Sequence, residues 1–218
     1  MAVTSTWTVR AICLAALKKA GIVAQDAQSA EAYEMETAKD ALHVLLKSWQ
    51  NTDFRVFTLT SQSVTLTTSA SYTMSPVRPM SLETVRFKRS GLETPMISMT
   101  RQEYDELPDK STTGQPTQFY YDRQRESALL YVWPVLSSAS GETLEITYWR
   151  EIEDVTDIND IIDMPVEWYR AVIYGLAADV CDDFEIDNPK IEAKALMLLS
   201  EARGFDAEGS VFIGCQDA

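Results

Sequence analysis

Apolar residues recurring every three to four positions open the chain: Val9, Ile12, Cys13, Ala16 and Leu17, with Lys18 and Lys19 in the last turn and Gly21 beyond them. This predicts a helix over 8–20 with a glycine stop. A longer pattern follows Asp26, a residue type that caps helices, and runs to about Trp49, with Ala30, Tyr33, Thr37, Ala38, Ala41, Leu42, Leu45 and Trp49 on one side. Glu31, Glu34, Lys39, Asp40 and Lys47 fall mostly opposite and read as a solvated face. From Phe54 the period drops to two and β-branched and aromatic residues become frequent. Short antiparallel strands are predicted at 55–60, 63–67, 72–74, 82–87, 119–121, 129–133 and 143–149. The turn-like Ser75-Pro76 lies among them, and Thr100-Arg101-Gln102-Glu103 has capping-box spacing for one or two helical turns.

Helical spacing returns at Asp163–Asp182. Pro165 suits a first turn, where its missing N–H has no partner to lose, and Glu167 complements the positive helix end. Tyr169, Val172, Ile173, Leu176, Ala177, Val180 and Phe184 make one broad apolar arc. Ala171, Gly175 and Ala178 make a second seam of small residues, and a mid-helix glycine costs about 1 kcal/mol relative to alanine. Such a seam admits another backbone closely, as tight packing within the chain or as a contact with a neighbouring subunit. Asp187-Asn188-Pro189 starts a last helix carrying Ile191, Ala195, Leu199 and Ala202, and Gly204 is expected to end it. Residues 205–218 form a tail in which Val211-Phe212-Ile213 stands between Gly209 and Gly214, either clipping onto a partner or folding back on its own bundle. The fold class is α+β: N-terminal helices (1–53) and C-terminal helices (151–204) form one bundle around an inserted antiparallel β domain (54–150), followed by the tail.

Composition narrows the function more than the fold. With 218 residues and 45% hydrophobic content there is a real core to build. Lys and Arg number 19 against 33 Asp and Glu, a formal net charge of -14, and such a field repels a phosphate backbone instead of wrapping it. No apolar run approaches the ~20 residues that cross a bilayer, and no leader pattern precedes the first helix, so synthesis in the cytosol is expected. Cys13, Cys181 and Cys215 lack metal-ligand spacing and read as free thiols; no metal or cofactor site is expected.

Chemistry is sparse. A single histidine, His43, excludes any constellation needing two, and it reads as structural. Asp157, Asp160 and Asp163 offer carboxylates for a glycan-cleaving hydrolase, the enzyme alternative to a structural role. Phe119-Tyr120-Tyr121 and Tyr148-Trp149 would stack on bases if exposed on a sheet. Arg86-Phe87-Lys88-Arg89 reads as a solvated turn at a strand end with a minor role near DNA.

The order of short motifs resembles a known family. Two helices precede Phe57-Thr58-Leu59-Thr60, Tyr72-Thr73-Met74 and Arg78-Pro79; then come Tyr104, Gly114-Gln115-Pro116, Trp133-Pro134, Met164-Pro165 and two more helices. Over roughly 8–204 this is similar to the head-to-tail adaptors of tailed bacteriophages, of the type called tail accessory factor. A Gly-Gln turn frequent in that family is Ser61-Gln62 here, which puts the turn's geometry in doubt. The resemblance implies a non-enzymatic virion protein assembled in the host cytoplasm: a homo-oligomer ring, usually a dodecamer, bound below the portal protein. It further implies a docking surface for a tail or nozzle protein and a channel that DNA passes without sequence-specific binding. A neighbouring neck or tail-completion protein is the related alternative. Val211, Phe212 and Ile213 are then the expected portal-binding segment, and Ala171, Gly175 and Ala178 the expected subunit interface.

Overall fold

The computed structural model describes residues 7–50, 56–74, 78–124 and 127–206. It divides into two compact units, Met1–Phe57 with Ile152–Ala218, and Thr58–Glu151. The first unit is helical: α1 (Val9–Ala20), α2 (Ala32–Trp49), α4 (Tyr169–Asp183) and α5 (Pro189–Asp206). The second holds two four-stranded sheets and the short helix α3 (Arg101–Asp105).

Helix α4 is covered on nearly all sides, by α1, α2 and α5. Nine of its fifteen residues are buried, including both the broad arc and most of the small seam, as befits a helix apolar all round. Its rings extend the core outward, with Trp168 5.9 Å from Trp49 and 6.1 Å from Phe57 between centroids. Helix α1 stops at Gly21 as expected, and Thr8 stands just ahead of it as its cap. Thr8 Oγ1 accepts from Ala11 N (3.3 Å), and Gly21, at φ 85°, returns its N–H to Leu17 O and Lys18 O. Two N–H groups that a first turn leaves open, those of Val9 and Arg10, donate to Asp160 O and Ile158 O (both 2.8 Å) on the connector that precedes α4.

Three helix boundaries differ from expectation. Helix α2 begins at Ala32, not after Asp26, because the Glu34 carboxylate accepts the Glu31 N–H (2.9 Å) and fixes the first turn there. Its buried face is accordingly Met35, Ala38, Leu42, Leu45 and Leu46, and Tyr33 is turned out to solvent against Phe184. Pro165 precedes a 3-10 turn, Val166–Trp168, and α4 starts only at Tyr169. Gly204 does not stop α5, which continues to Asp206.

In the second unit one sheet has the order β1-β8-β3-β4, with β1 Leu59–Thr65, β8 Thr143–Trp149, β3 Ser81–Arg89 and β4 Leu92–Pro95, all antiparallel. The other is β2-β7-β6-β5, with β2 Ser71–Thr73, β7 Ala128–Trp133, β6 Gln118–Arg123 and β5 Ile97–Met99. Leu66, Phe87, Phe119, Leu130, Val132, Leu144 and Ile146 fill their shared core. The strands expected at 55–60 and 63–67 are one strand, β1, preceded by a 3-10 turn at Val56–Thr58. Ser61-Gln62 is therefore mid-strand, paired with Thr147 and Ile146, and makes no turn. Strand β5, which the sequence pattern does not single out, pairs with β6 in parallel within otherwise antiparallel sheets. The segment between them, which carries α3, supplies the crossover that parallel pairing requires. The capping box of α3 forms as expected: Thr100 N donates to Glu103 Oε2 (2.7 Å), and Glu103 N to Thr100 Oγ1 (3.2 Å). Tyr104 then stacks on Tyr120 (5.5 Å), which stacks on Tyr131 (5.8 Å).

The close packing of α4 gives a direct test. A Cβ on Gly175 would stand 3.1 Å from Trp49 Cζ2 and 3.3 Å from Leu45 Cδ2. Gly175→Leu is therefore expected to destabilise the isolated chain by about 1–3 kcal/mol, a fall of several degrees in thermal midpoint measured by circular dichroism. An unchanged midpoint would show that Trp49 swings aside without loss.

Candidate functional site

The carboxylates of the connector serve the loop that carries them. Asp160 Oδ2 accepts from Thr156 Oγ1 (3.0 Å) and Asp157 N (2.8 Å), Asp157 Oδ1 from Asn159 N and Nδ2 (both 2.8 Å), and Asp163 Oδ2 from Glu153 N (3.1 Å). Their role here is to hold the loop that receives the start of α1. The same connector is tied to α2 by Lys47, whose Nζ reaches Asp154 Oδ1 at 2.6 Å and Ile152 O at 2.7 Å. That hydrogen bond holds the Asp154 carboxyl below its usual range. His43 lies half-buried on α2. Among the described residues no group of three or more His, Cys, Asp or Glu is placed to hold a metal ion. Cys13 and Cys181 are buried free thiols, and burial pushes the Cys13 thiol up to about 12; Cys215 lies outside the described residues.

The aromatic and basic segments are largely engaged within the chain. Phe119, Tyr120 and Tyr148 are buried, Tyr121 gives its hydroxyl to Pro79 O, and the Trp149 indole donates to Glu83 Oε2 at 3.2 Å. Arg86-Phe87-Lys88-Arg89 lies at a strand end as expected, but as the last four residues of β3 and not as the turn itself, which is Ser90-Gly91, and its charges are answered within the chain. Arg86 lies 3.5 Å and Lys88 3.4 Å from Glu93, Lys88 is 3.3 Å from Glu145, and Arg89 is 3.1 Å from Glu142. Sequence could not show this, since Glu93 and Glu145 stand on neighbouring strands, opposite or diagonal in register, and Glu142 just ahead of β8.

The small seam on α4 is filled from within the chain. Ala171 is 2% exposed, and Gly175 faces Trp49 and Leu45 of α2. The close approach expected for a neighbouring subunit is thus made by the chain's own helix, and of the three residues only Ala178 stays half-exposed. The other expected contact segment, Val211, Phe212 and Ile213, lies outside the described residues.

With the fold and these surfaces in place, comparison with known families is decisive. The family model for the SU10 adaptor protein matches residues 23–208. The chain belongs to the SU10 adaptor protein family. This is a phage head-tail adaptor family, so the chain is a bacteriophage structural protein of the virion. No curated protein matches it. No described helix is long and apolar enough to cross a membrane.

Several exposed features are not among those expected from the sequence. Helix α5 buries Ile191, Leu198 and Ala202 and leaves Leu196 and Met197 in solvent; the i, i+7 spacing of Ile191 and Leu198 could have indicated this face. Leu92 and Ile97 are exposed on the β unit. The C-terminal end of α4 is acidic, with Asp179, Asp182 and Asp183 at a helix end whose dipole disfavours anions. Asp179 is pushed up to about 6, by desolvation first and then by Asp182 and Asp183. Because its folded pKa lies above the ordinary 3.8, its favourable contribution is complete below that value and is lost as pH rises through 6. Asp179→Asn is accordingly expected to raise the thermal midpoint by about 1–3 °C at pH 8 and hardly at all at pH 4. A gain of equal size at both pH values would assign the effect to something other than charge.

Proposed function

We propose that this protein forms a ring, of twelve copies by analogy with head-to-tail adaptors, that binds below the portal. There it extends the DNA channel, retains packaged DNA and presents the surface on which the tail or nozzle protein docks. The observation that carries this reading is the match to the SU10 adaptor protein family across residues 23–208. The charge supports it: with 33 acidic against 19 basic residues, a channel lined by copies of this chain repels phosphate and lets DNA slide. So does the pairing of Arg86, Lys88 and Arg89 with carboxylates, which leaves these cations poor grips for a nucleic acid.

In this reading the segment with Val211, Phe212 and Ile213 is the portal clip. Burial of three such side chains contributes on the order of 1.5–3 kcal/mol each before the cost of ordering, and a ring multiplies even a weak clip. The test combines the protein with its cognate portal and follows mass and negative-stain images. The expected result is a ring stacked on the portal with an open axis; a chain that stays single and unbound overturns the proposal. Truncation after Asp206, the end of α5, is expected to leave the thermal midpoint within about 2 °C and to weaken portal attachment at least tenfold. Attachment equal to the full chain would remove the clip and leave the ring.

A further inference from the structure

Among the described residues four strands of the β unit stand at a sheet edge, and they are not alike. β2 and β5 have three residues each, and β4 has four and ends in a proline. β1 runs seven residues, Leu-Thr-Ser-Gln-Ser-Val-Thr, without a charge, a proline or a glycine. It therefore lacks the devices by which natural sheets discourage the addition of a further strand. β1 and β4 are, moreover, the two outer strands of the same sheet.

The register tells which backbone groups point outward. Leu66 N donates to Glu142 O (2.9 Å) and Arg150 N to Thr58 O (3.0 Å), in phase with the β1–β8 pairing. Even-numbered residues of β1 thus bond to β8, and the N–H and C=O of Leu59, Ser61, Ser63 and Thr65 face away from the sheet. At the opposite edge Met96 N donates to Val85 O (2.9 Å), so Glu93 and Pro95 turn their backbone groups outward. The proline there loses no ladder bond. Among the described residues none of these outward groups has a partner.

The even number of antiparallel strands has two geometric consequences. β1 and β4 run in opposite directions, so a β4 set beside the β1 of an identical sheet, with the sheet simply continued, makes an antiparallel pair. The outward-bonding residues of both edges also share one face. Ser63 lies in the row of Glu145, Arg86 and Pro95, and Thr65 in the row of Thr143, Lys88 and Glu93. An odd number of strands would fail on both counts.

From this we infer that adjacent copies join head to tail through the sheet, β4 of one against β1 of the next, with Glu93 opposite Ser63; the inference rests on the ring reading above. Glu93 and Ser63 exchange both backbone hydrogen bonds, and Ser61 N–H donates to Pro95 C=O. Leu92, 72% exposed in the single chain, then falls beside the next copy's Val64, on the face that carries Leu144 and Phe87. Sliding the register by two residues would set Leu92 beside Gln62 or beside Leu66, which is already buried. The Glu93 carboxylate, paired with Arg86 and Lys88, faces the uncharged Ser63, whose hydroxyl donates to Glu145 Oε1 (3.2 Å) of its own sheet.

The test places cysteines at both positions, Ser63→Cys with Glu93→Cys, in a chain that also carries Cys215→Ser. Partners in such a pair stand about 5.5 Å apart between Cα atoms, within disulfide reach. The protein is mixed with its cognate portal, assembly is verified by mass photometry, and the sample is mildly oxidised. The double variant is expected to give a ladder of covalent multimers on a non-reducing gel, and either single variant only monomer. Ser63→Pro, which removes an outward N–H and no backbone bond to β8 and gives up only the exposed Ser63 Oγ–Glu145 Oε1 contact (3.2 Å), is expected to keep the circular dichroism of the parent with a thermal midpoint within about 2 °C and to reduce assembly at least tenfold. An assembly that forms without a ladder, dimers from Ser63→Cys alone, or normal assembly of Ser63→Pro overturns the inference and leaves the ring intact. A parent chain that stays single even with the portal overturns both.

Discussion

The burial of α4 is the constraint on which the helical unit depends. A fifteen-residue helix with apolar residues around nearly its whole circumference is unstable in water unless other helices cover it. Its cover comes from both ends of the chain, α1 and α2 before the β unit and α5 after it. Gly175 lets α2 approach closely enough for Trp49 to lie across it. The same requirement explains why 58–151 can form a unit of its own: the helices that flank it in sequence are held by one another.

A second regularity is the local settlement of charge. The connector before α4 spends its carboxylates on its own backbone, and Asp154 takes Lys47. The basic run on β3 is matched by Glu93, Glu142 and Glu145. After these pairings the acidic excess remains as a property of the outer surface, including the end of α4, where Asp179 resists ionisation beside Asp182 and Asp183.

The two units bring different resources to assembly. The helical unit presents isolated apolar side chains, Val44 on α2 and Leu196 and Met197 on α5. The β unit presents backbone: an uncharged seven-residue edge at one side of a sheet and a short, proline-ended edge at the other. Hydrogen bonds along an edge fix register and direction, which scattered apolar contacts do not.

Much of the local structure was legible in the sequence. The stop at Gly21, the capping box at Thr100 and Glu103, the start of α5 at Pro189 and the α+β class all follow from interactions within a few residues, which spacing alone encodes. The order of motifs likewise carried the family. Tertiary structure decided what depends on distant partners. Which neighbour fills the Gly175 seam, which side of α2 is buried, where the acidic partners of β3 stand and why Gly204 fails to stop a helix are set by residues far away in sequence or by packing. The parallel pairing of β5 with β6 and the division of the strands into two sheets belong to the same class. So do the open edges, since a strand's sequence shows its alternation but not whether both its sides are paired.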